Sequence, residues 1–293
     1  MEFWLIIFWL LALLLAYFAI SIIIVLILAK YPRSSVEDPP DWGSTKEYRI
    51  PTVNGKMLEC WVVYPKIMKN YETINEKLKK SPCIILLHGW GRNWGRMVSR
   101  ARIYGQKGYI TILLSARDHG RSDKERLGMN ILRFSQDLEA TLNWWGKPAI
   151  LTGHSIGGGA ALLVAARNSL VRAVIAEAAP YAIPQTLKHI YWPALKWLTH
   201  FFLPGINAYN KIRYRKFTIA DFSPLDAASK IRAPTLLIHG KNDDILPYED
   251  SVQLGRKLDC QVWIPENTTH YNIEEHPDYA SRIYSFLESI TEQ

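Results

Sequence analysis

The chain has few cysteines and none of the spacings that would bind a metal. Three cysteines occur in 293 residues, an odd number at wide separation (Cys60, Cys83 and Cys260). They provide no disulfide framework. No histidines or cysteines follow a metal-ligand pattern such as H-E-x-x-H or paired C-x-x-C. We therefore expect no metal site.

Motifs that bind nucleotides or nucleic acids are also missing from the sequence. There is no G-x-x-x-x-G-K-[ST] loop to hold phosphates, and the run Gly157-Gly158-Gly159 belongs to a different motif. The formal net charge of +8 comes without a nucleic-acid-binding motif. We expect no cofactor and no nucleic-acid partner.

Charged side chains are absent from a long segment near the beginning of the chain. The segment from Phe3 to Ala29 has no charged side chain, and a helix of this length spans about 40 Å, more than the ~30 Å hydrocarbon core of a bilayer. A cleaved signal peptide fits poorly, because Glu2 replaces a basic segment and no A-x-A site is evident. We predict a retained single-pass membrane anchor at residues 1–30. Lys30 and Arg33 follow it, which favours a cytoplasmic location for the domain that comes after the anchor.

The pattern G-x-S-x-G occurs at Gly153-His154-Ser155-Ile156-Gly157, between a short apolar run and a helical run of small residues. A strand, a sharp turn and a helix form the context that presents a serine nucleophile. Glycines are expected on both sides because side chains would collide where the backbones crowd together. Ser155 is therefore the candidate nucleophile.

A serine nucleophile needs a base, and the base needs an orienting acid. In hydrolases with this turn, the chain order is serine, acid and histidine. Asp243 follows the apolar strand Thr235–Ile238, and His270 follows the strand Gln261–Ile264. The competing residues are Asp244 and Glu177 for the acid and His276 for the base. We interpret the remaining glycine-flanking histidines as structural: His88, His119, His154 and His239.

Several motifs occur together in one order along the chain. They are Leu87-His88-Gly89-Trp90-Gly91, Asp118-His119-Gly120-Arg121-Ser122-Asp123, the G-x-S-x-G turn, His239-Gly240-x-x-Asp243 with Pro247, and Thr269-His270. Because of these motifs, residues 46–290 resemble the α/β-hydrolase superfamily, in particular its monoacylglycerol-lipase-like and proline-aminopeptidase-like serine hydrolases. The resemblance implies the α/β-hydrolase fold and a serine hydrolase activity.

The resemblance also implies roles for individual residues. It assigns the triad acid to Asp243 rather than Asp244, and it places oxyanion amides at Trp90 and Ile156. One loop departs from the family pattern, which often reads Asp-x-Arg-Gly-His-Gly. This chain has Ser115-Ala116-Arg117-Asp118-His119-Gly120 there, so the conformation of that loop stays open.

The rest of the chain alternates strand and helix patterns, which predicts a mostly parallel sheet covered by helices on both faces. We expect a linker at residues 31–45 and a catalytic domain at residues 46–293. That domain would begin with a hairpin over residues 46–64 that turns at Asn54-Gly55. Further elements are expected at Cys83–Leu87, Tyr109–Leu114, Asn130–Trp145, Val171–Ala176, Tyr248–Lys257 and Pro277–Leu287.

An aromatic and basic segment at residues 181–231 interrupts the alternation, where the family inserts a helical cap. Its aromatic side chains fit an apolar lid over an acyl-binding pocket, or an ordinary helical insertion. Its basic side chains fit contact with anionic lipid head groups, or a solvated face. They are Lys188, Lys196, Lys211, Arg213, Arg215 and Lys216.

These observations predict a membrane-anchored serine hydrolase that cleaves carboxylic esters through Ser155, His270 and Asp243. Its substrates would be small-molecule or lipid-like acyl esters. Two other classes remain open: an amidase or aminopeptidase with the same triad, for which Glu177 is a candidate anchor of a substrate amino group, and a non-catalytic membrane-tethered binding protein.

Overall fold

A computed structural model describes residues 2–28, 40–66, 83–125, 128–182, 196–218 and 221–291. Among the predictions above, those for Lys30, Arg33, Lys188 and most of the linker lie outside the described residues. The described strands are β1 (Gly43–Pro51), β2 (Met57–Pro65), β3 (Cys83–Leu87), β4 (Thr111–Leu114), β5 (Ala149–His154), β6 (Val171–Glu177), β7 (Thr235–Ile238) and β8 (Gln261–Trp263).

The eight strands form one sheet in the order β1-β2-β4-β3-β5-β6-β7-β8. The pairs β1–β2 and β2–β4 are antiparallel, and every pair from β4 to β8 is parallel. The first two strands form the expected hairpin, in which Gly55 adopts a φ of 70° that suits glycine. The predicted mostly parallel sheet is confirmed.

The described α-helices are α1 (Glu2–Leu28), α2 (Val98–Gln106), α3 (Ile131–Trp145), α4 (Ile156–Ala165), α5 (Lys196–Arg213), α6 (Pro224–Ala227), α7 (Tyr248–Leu258) and α8 (Tyr279–Thr291). The C-terminal helix begins at Tyr279, later than the predicted Pro277. The sequence patterns did not predict α2, because this helix buries Arg100 beside Ala101 and Tyr104 and has no clear apolar stripe.

Helices cover both faces of the sheet, and alternate strand residues face opposite sides. In β3, Ile85 belongs to the core beneath α3 and α4, whereas Ile84 and Leu86 belong to the core beneath α2 and α8. Every residue of β3 is buried. A strand covered on both faces is apolar throughout, which is why its sequence shows no alternation.

Two helices between β6 and β7, α5 and α6, account for the described part of the predicted cap insertion. The helix α5 contains Pro204 and ends in a basic turn with Lys211 and Arg213. At the other end of the chain, α1 is 27 residues long and is long and apolar enough to cross a membrane. We call α5 the cap helix and α1 the N-terminal helix.

The first strand of the sheet begins before the predicted domain boundary at residue 46. The strand β1 starts at Gly43, and Trp42 before it is buried. The Trp42 indole lies so close to Gly105 of α2 that a Cβ on that glycine would collide with it. The proline-rich and acidic neighbours of Trp42 predict a linker at this position. The structure shows instead that Trp42 packs into the core.

Trp42→Ala is expected to lower the free energy of unfolding by about 3 kcal/mol, because it removes a large buried side chain and leaves a cavity. Denaturation of the full chain in detergent, followed by circular dichroism, measures this loss. The control is Val53→Ala, at a side chain that is 90% exposed, which should change stability by less than about 0.5 kcal/mol. Equal losses of unfolding free energy for the two variants would contradict the packing of Trp42 into the core.

Candidate active site

The turn between β5 and α4 holds Ser155 in a conformation that L-residues rarely adopt. Its φ is 54° and its ψ is −126°, a geometry that costs about 1–3 kcal/mol unless the surroundings enforce it. A Cβ on Gly153 would collide with the Gly157 backbone, and a Cβ on Gly157 would collide with the backbone of β3. The two glycines of G-x-S-x-G are therefore required by steric contact. The Ser155 side chain itself is half-buried.

Ser155 is also tied to the neighbouring strand. Its backbone N–H donates to the carbonyl of Glu177, the last residue of β6, at 2.7 Å. Its own carbonyl accepts from the N–H of Gly158 at 2.9 Å in the first turn of α4. These bonds fix the turn between the ends of two parallel strands, where open α/β sheets place their sites.

The structure brings Asp243 and His270 together. The Nδ1–H of His270 donates to Oδ2 of Asp243 at 2.7 Å. The other oxygen, Oδ1, accepts the N–H groups of Ile245 and Leu246, both at 2.8 Å. The Asp243 side chain is fully buried, so the carboxylate is held in one orientation against the imidazole ring.

A second histidine contacts the same carboxylate. Nε2 of His239 lies 3.0 Å from Oδ2 of Asp243 and 3.1 Å from the carbonyl of Leu246. Both neighbours are acceptors, so Nε2 carries the proton. Nδ1 then accepts the hydroxyl of Ser251 at 2.7 Å. We interpreted His239 from sequence as a residue that bonds loop backbone. It does so, and it also donates to the acid.

Burial alone would raise the pKa of Asp243. The hydrogen bonds from His239 and His270, together with the charge of His270 and the Leu246 N–H, outweigh burial and hold that pKa well below its usual range. The carboxylate is therefore ionised at neutral pH and can stabilise an imidazolium. Asp243 thus has the electrostatic environment that a triad acid needs.

The competing residues occupy other environments. Asp244 is exposed. The Glu177 carboxylate is fully buried in an ion pair with Arg100. His276 is half-buried rather than solvent-facing. Its ring lies 5.3 Å from that of Trp263, and its Nδ1 accepts the N–H of Asp278 at 3.2 Å.

His154 joins the His270 loop to the serine turn. Its Nε2–H donates to the carbonyl of His270 at 2.7 Å, and the two rings lie 4.9 Å apart. Burial lowers the pKa of His154 well below its ordinary value, and the nearby charge of Arg100 adds to this effect. His154 is therefore neutral. It holds the backbone of His270 beside the residue that precedes Ser155.

The loop after β3 approaches the same turn. A Cβ on Gly89 would lie 3.2 Å from Cβ of Ser155, which is a tight contact, so glycine favours this close approach of the backbone. Within the described residues, the N–H groups of Trp90 and Ile156 donate to no protein acceptor. Ile156 follows Ser155 directly, and Trp90 follows Gly89, whose backbone approaches Ser155. In this part of the chain each amide has a free N–H to donate, and the family resemblance implies that both serve the oxyanion.

Two structural histidines fix this loop. Nδ1–H of His88 donates to the carbonyl of Gly89 at 2.7 Å, and its Nε2 accepts the N–H of Ala116 at 3.1 Å. Nδ1–H of His119 donates to the carbonyl of Arg117, and its Nε2 accepts the N–H of Gly91 at 3.1 Å. Both rings form hydrogen bonds with loop backbone, in agreement with their interpretation as structural histidines.

The departure from the family pattern now has a physical explanation. Asp118 stands where relatives often have glycine, and its φ is 66°. Aspartate tolerates this left-handed region better than most residues. The N–H of Asp118 donates to the carbonyl of Asp123 at 2.9 Å, which closes the turn. The loop therefore keeps a glycine-like conformation without the glycine.

A buried charge cluster behind the serine turn was not predicted from the sequence. Nε of Arg100 lies 2.7 Å from Glu177, and its Nη1 lies 2.7 Å from Glu274. The hydroxyl of Tyr279 donates to the other oxygen of Glu177. Burial disfavours the charged guanidinium, but the carboxylates of Glu177 and Glu274 raise the pKa of Arg100. The cluster joins α2, β6 and the segment that follows His270.

Comparisons with known proteins identify the family of this chain. A model of the alpha/beta hydrolase family matches residues 84–281, and the chain therefore belongs to that family. A bifunctional esterase/perhydrolase of Acinetobacter calcoaceticus is 24% identical over 227 residues, which cover 61% of this chain and 81% of that protein.

Two solved structures share the fold. An esterase of Pyrococcus furiosus superposes with a TM-score of 0.69 at 19% identity and covers 89% of this chain and 98% of its own. A membrane phospholipase A, described as a bacterial virulence factor, superposes with a TM-score of 0.62 at 19% identity and covers 100% of both chains. The match to the second structure includes the N-terminal helix.

Arg100→Met is expected to lower the free energy of unfolding by about 3–5 kcal/mol, because it leaves the carboxylate of Glu177 buried without its cation. The matched control is Arg102→Met on the same helix. The Arg102 side chain is 45% exposed and pairs with Asp41 on the surface, so its loss should cost less than about 1 kcal/mol. Chemical denaturation of the full chain measures both. A loss for Arg100→Met as small as the control's would contradict a structural role for the cluster.

Proposed function

We propose that this chain is a membrane-anchored serine hydrolase that cleaves carboxylic esters. The proposal is carried by the 2.7 Å contact between His270 and Asp243 beside the strained turn of Ser155. A buried, ionised carboxylate that orients a histidine is the arrangement that activates a serine hydroxyl. The esterase relative and the membrane phospholipase A structure support the same reaction class.

In the proposed reaction, Ser155 Oγ attacks the acyl carbonyl while His270 Nε2 takes its proton. The hydrogen bond to Asp243 keeps the other proton on Nδ1 and stabilises the imidazolium. The amides of Trp90 and Ile156 receive the oxyanion, each worth about 3–4 kcal/mol in comparable sites. His270 returns the proton to the leaving alcohol, and water then releases the acyl group by the same steps.

The residue that was the candidate for binding a substrate amino group in the amidase or aminopeptidase alternative is not accessible. Glu177 was the candidate partner for a substrate amino group. Its carboxylate is fully buried and bonded to Arg100 and Tyr279. It therefore has no free oxygen to offer a substrate in the solvent-accessible site. An ester, which carries no amino group to bind, fits the described residues better.

Lipid-like acyl esters are the proposed substrate class. The apolar N-terminal helix, 27 residues long, would hold the enzyme at a bilayer. The described cap places further aromatic side chains such as Tyr214 and Phe222 beside each other at 5.2 Å. The cytoplasmic orientation predicted from Lys30 and Arg33 stays a prediction.

Ser155→Ala is expected to abolish both ester hydrolysis and the single adduct that a fluorophosphonate forms with the full-length chain. Intact mass spectrometry in detergent measures the adduct. The control is Ser99→Ala, an exposed serine on α2, which should label as the wild type does. An adduct that persists in Ser155→Ala would contradict the assignment. A folded wild-type protein without any adduct would favour the non-catalytic alternative.

Asp243→Asn is expected to lower kcat by about 10⁴-fold. Its carbonyl oxygen would keep the N–H groups of Ile245 and Leu246, so its NH2 would face His270, donate to Nδ1 and favour the wrong tautomer. Asp244→Asn is the matched control, since it changes the neighbouring exposed carboxylate and should leave kcat nearly unchanged. Steady-state hydrolysis of an aryl ester measures both. A larger loss for Asp244→Asn would reverse the assignment of the acid.

For a series of aryl esters, kcat/KM is expected to rise from acetyl to decanoyl. Each buried methylene contributes about 0.8 kcal/mol, which corresponds to about fourfold per group while the chain remains in contact with protein. The matching arylamides should turn over more slowly. A preference for acetyl over decanoyl esters would contradict a lipid-like substrate, and faster amide turnover would favour the amidase.

A further inference from the structure

The N-terminal helix and the cap helix are joined by an unusual polar contact. The hydroxyl of Tyr17 donates to the carbonyl of Phe201 at 2.9 Å and accepts the N–H of Gly205 at 3.3 Å. In an uninterrupted helix, the carbonyl and N–H of residues four apart pair with each other. Pro204 lies between them, and proline interior to a helix disturbs this pairing. The Tyr17 hydroxyl therefore bonds to the cap helix at the point where proline interrupts the helix's own hydrogen bonding.

Close packing surrounds this contact. A Cβ on Gly205 would collide with the side chain of Ser21, which is fully buried. The ring of Tyr17 stacks on that of Phe202 at 5.5 Å with an interplanar angle of 19°. Small residues that let two helices approach closely are typical of packing inside or at a membrane. Gly205 and Ser21 serve this purpose here.

The exposure of the N-terminal helix changes at Tyr17. Most large apolar side chains from Phe3 to Leu15 are at least half exposed. From Tyr17 onward one face of the helix, with Tyr17 and Ser21, packs against the cap, while Ile23 and Ile27 stay exposed. The free part spans only about 20 Å at ~1.5 Å per residue, less than the ~30 Å hydrocarbon core. If this helix crosses the core, the contact with the cap helix lies at or within the membrane boundary.

The exposed side of the cap helix has the composition of an interfacial segment. Phe201 is 61% exposed and Ile212 is 76% exposed. Basic residues at and beyond its C-terminal end are also exposed: Lys211, Arg215 and Lys216. Apolar and basic side chains together bind the boundary between acyl chains and anionic head groups.

We propose that the cap helix lies in the head-group layer of an anionic bilayer and is held there by the contact of Tyr17 with Phe201 and Gly205. The N-terminal helix is then part of the cap rather than a separate tether. This inference rests on the proposed membrane anchoring, and it adds a membrane-binding surface to the cap itself.

The test places a fluorophore on the cap helix of the full-length chain in nanodiscs. Ile212→Cys is labelled with an environment-sensitive dye in a Cys260→Ser background, because Cys60 and Cys83 are buried and Cys260 is only partly so. The discs contain lipid with a nitroxide near the head group. We expect the dye to lose most of its fluorescence in discs of equimolar phosphatidylcholine and phosphatidylglycerol. Discs of phosphatidylcholine alone should quench it less.

The matched control carries the same dye at Val53→Cys, an exposed position in the turn between β1 and β2. This dye should keep its fluorescence in both discs. Equal quenching at the two positions would overturn the proposal. Equal quenching of the Ile212 dye in the two lipid compositions would overturn its electrostatic part.

Tyr17→Phe removes only the hydroxyl and keeps the ring. It is expected to reduce the quenching at residue 212 by at least half and to speed hydrogen exchange in residues 196–213. Adding Pro204→Ala should slow the exchange again, because the cap helix can then pair its own backbone, but it should not restore the quenching, because the hydroxyl that holds this helix is still absent. No change in Tyr17→Phe would overturn the role of the contact. The fluorophosphonate adduct at Ser155, measured on the same samples, reports the proposed function separately.

Discussion

Close backbone contact at the serine turn is the constraint on which the site depends. Ser155 adopts a positive φ because β5 must reverse into α4 over one residue, beside the end of β3. This reversal is sterically allowed only with glycine at positions 153 and 157. The strain at one residue is offset by the hydrogen bonds and packing of the whole sheet. The parallel sheet therefore stabilises the strained conformation of Ser155.

The same constraint explains which parts of the fold were predictable from the sequence. A strand buried on both faces must be apolar throughout, so Cys83–Leu87 and Thr235–Ile238 were recognisable without any partner. The hairpin turn needs a left-handed residue, which Gly55 supplies. The predicted set of Ser155, Asp243 and His270 rests on chain order, since each residue lies in the turn or loop that follows a strand, and the carboxyl ends of these strands meet at one edge of the sheet.

Other features could not be predicted, because their sequence signal depends on distant partners. Arg100 reads as a surface residue until Glu177 and Glu274 enclose it, so its helix has no visible apolar face. Pro204 and Gly205 read as signals that end a helix. Their tolerance within one becomes understandable only when a hydroxyl from the other end of the chain contacts the interrupted backbone. Local propensity fails in each case where tertiary contact replaces a local interaction.

The position of the cap in the chain gives the contact with the N-terminal helix a further meaning. The chain leaves the sheet after Glu177, whose carbonyl accepts the backbone N–H of Ser155. It includes the cap helix and then returns to the sheet in β7, the strand before Asp243. The segment that touches the N-terminal helix is thus inserted between two of the strands that position the site. A force that moves the cap relative to Tyr17 acts on both ends of this insertion. Under the proposed membrane attachment, the cap helix would connect the N-terminal helix to the insertion between β6 and β7.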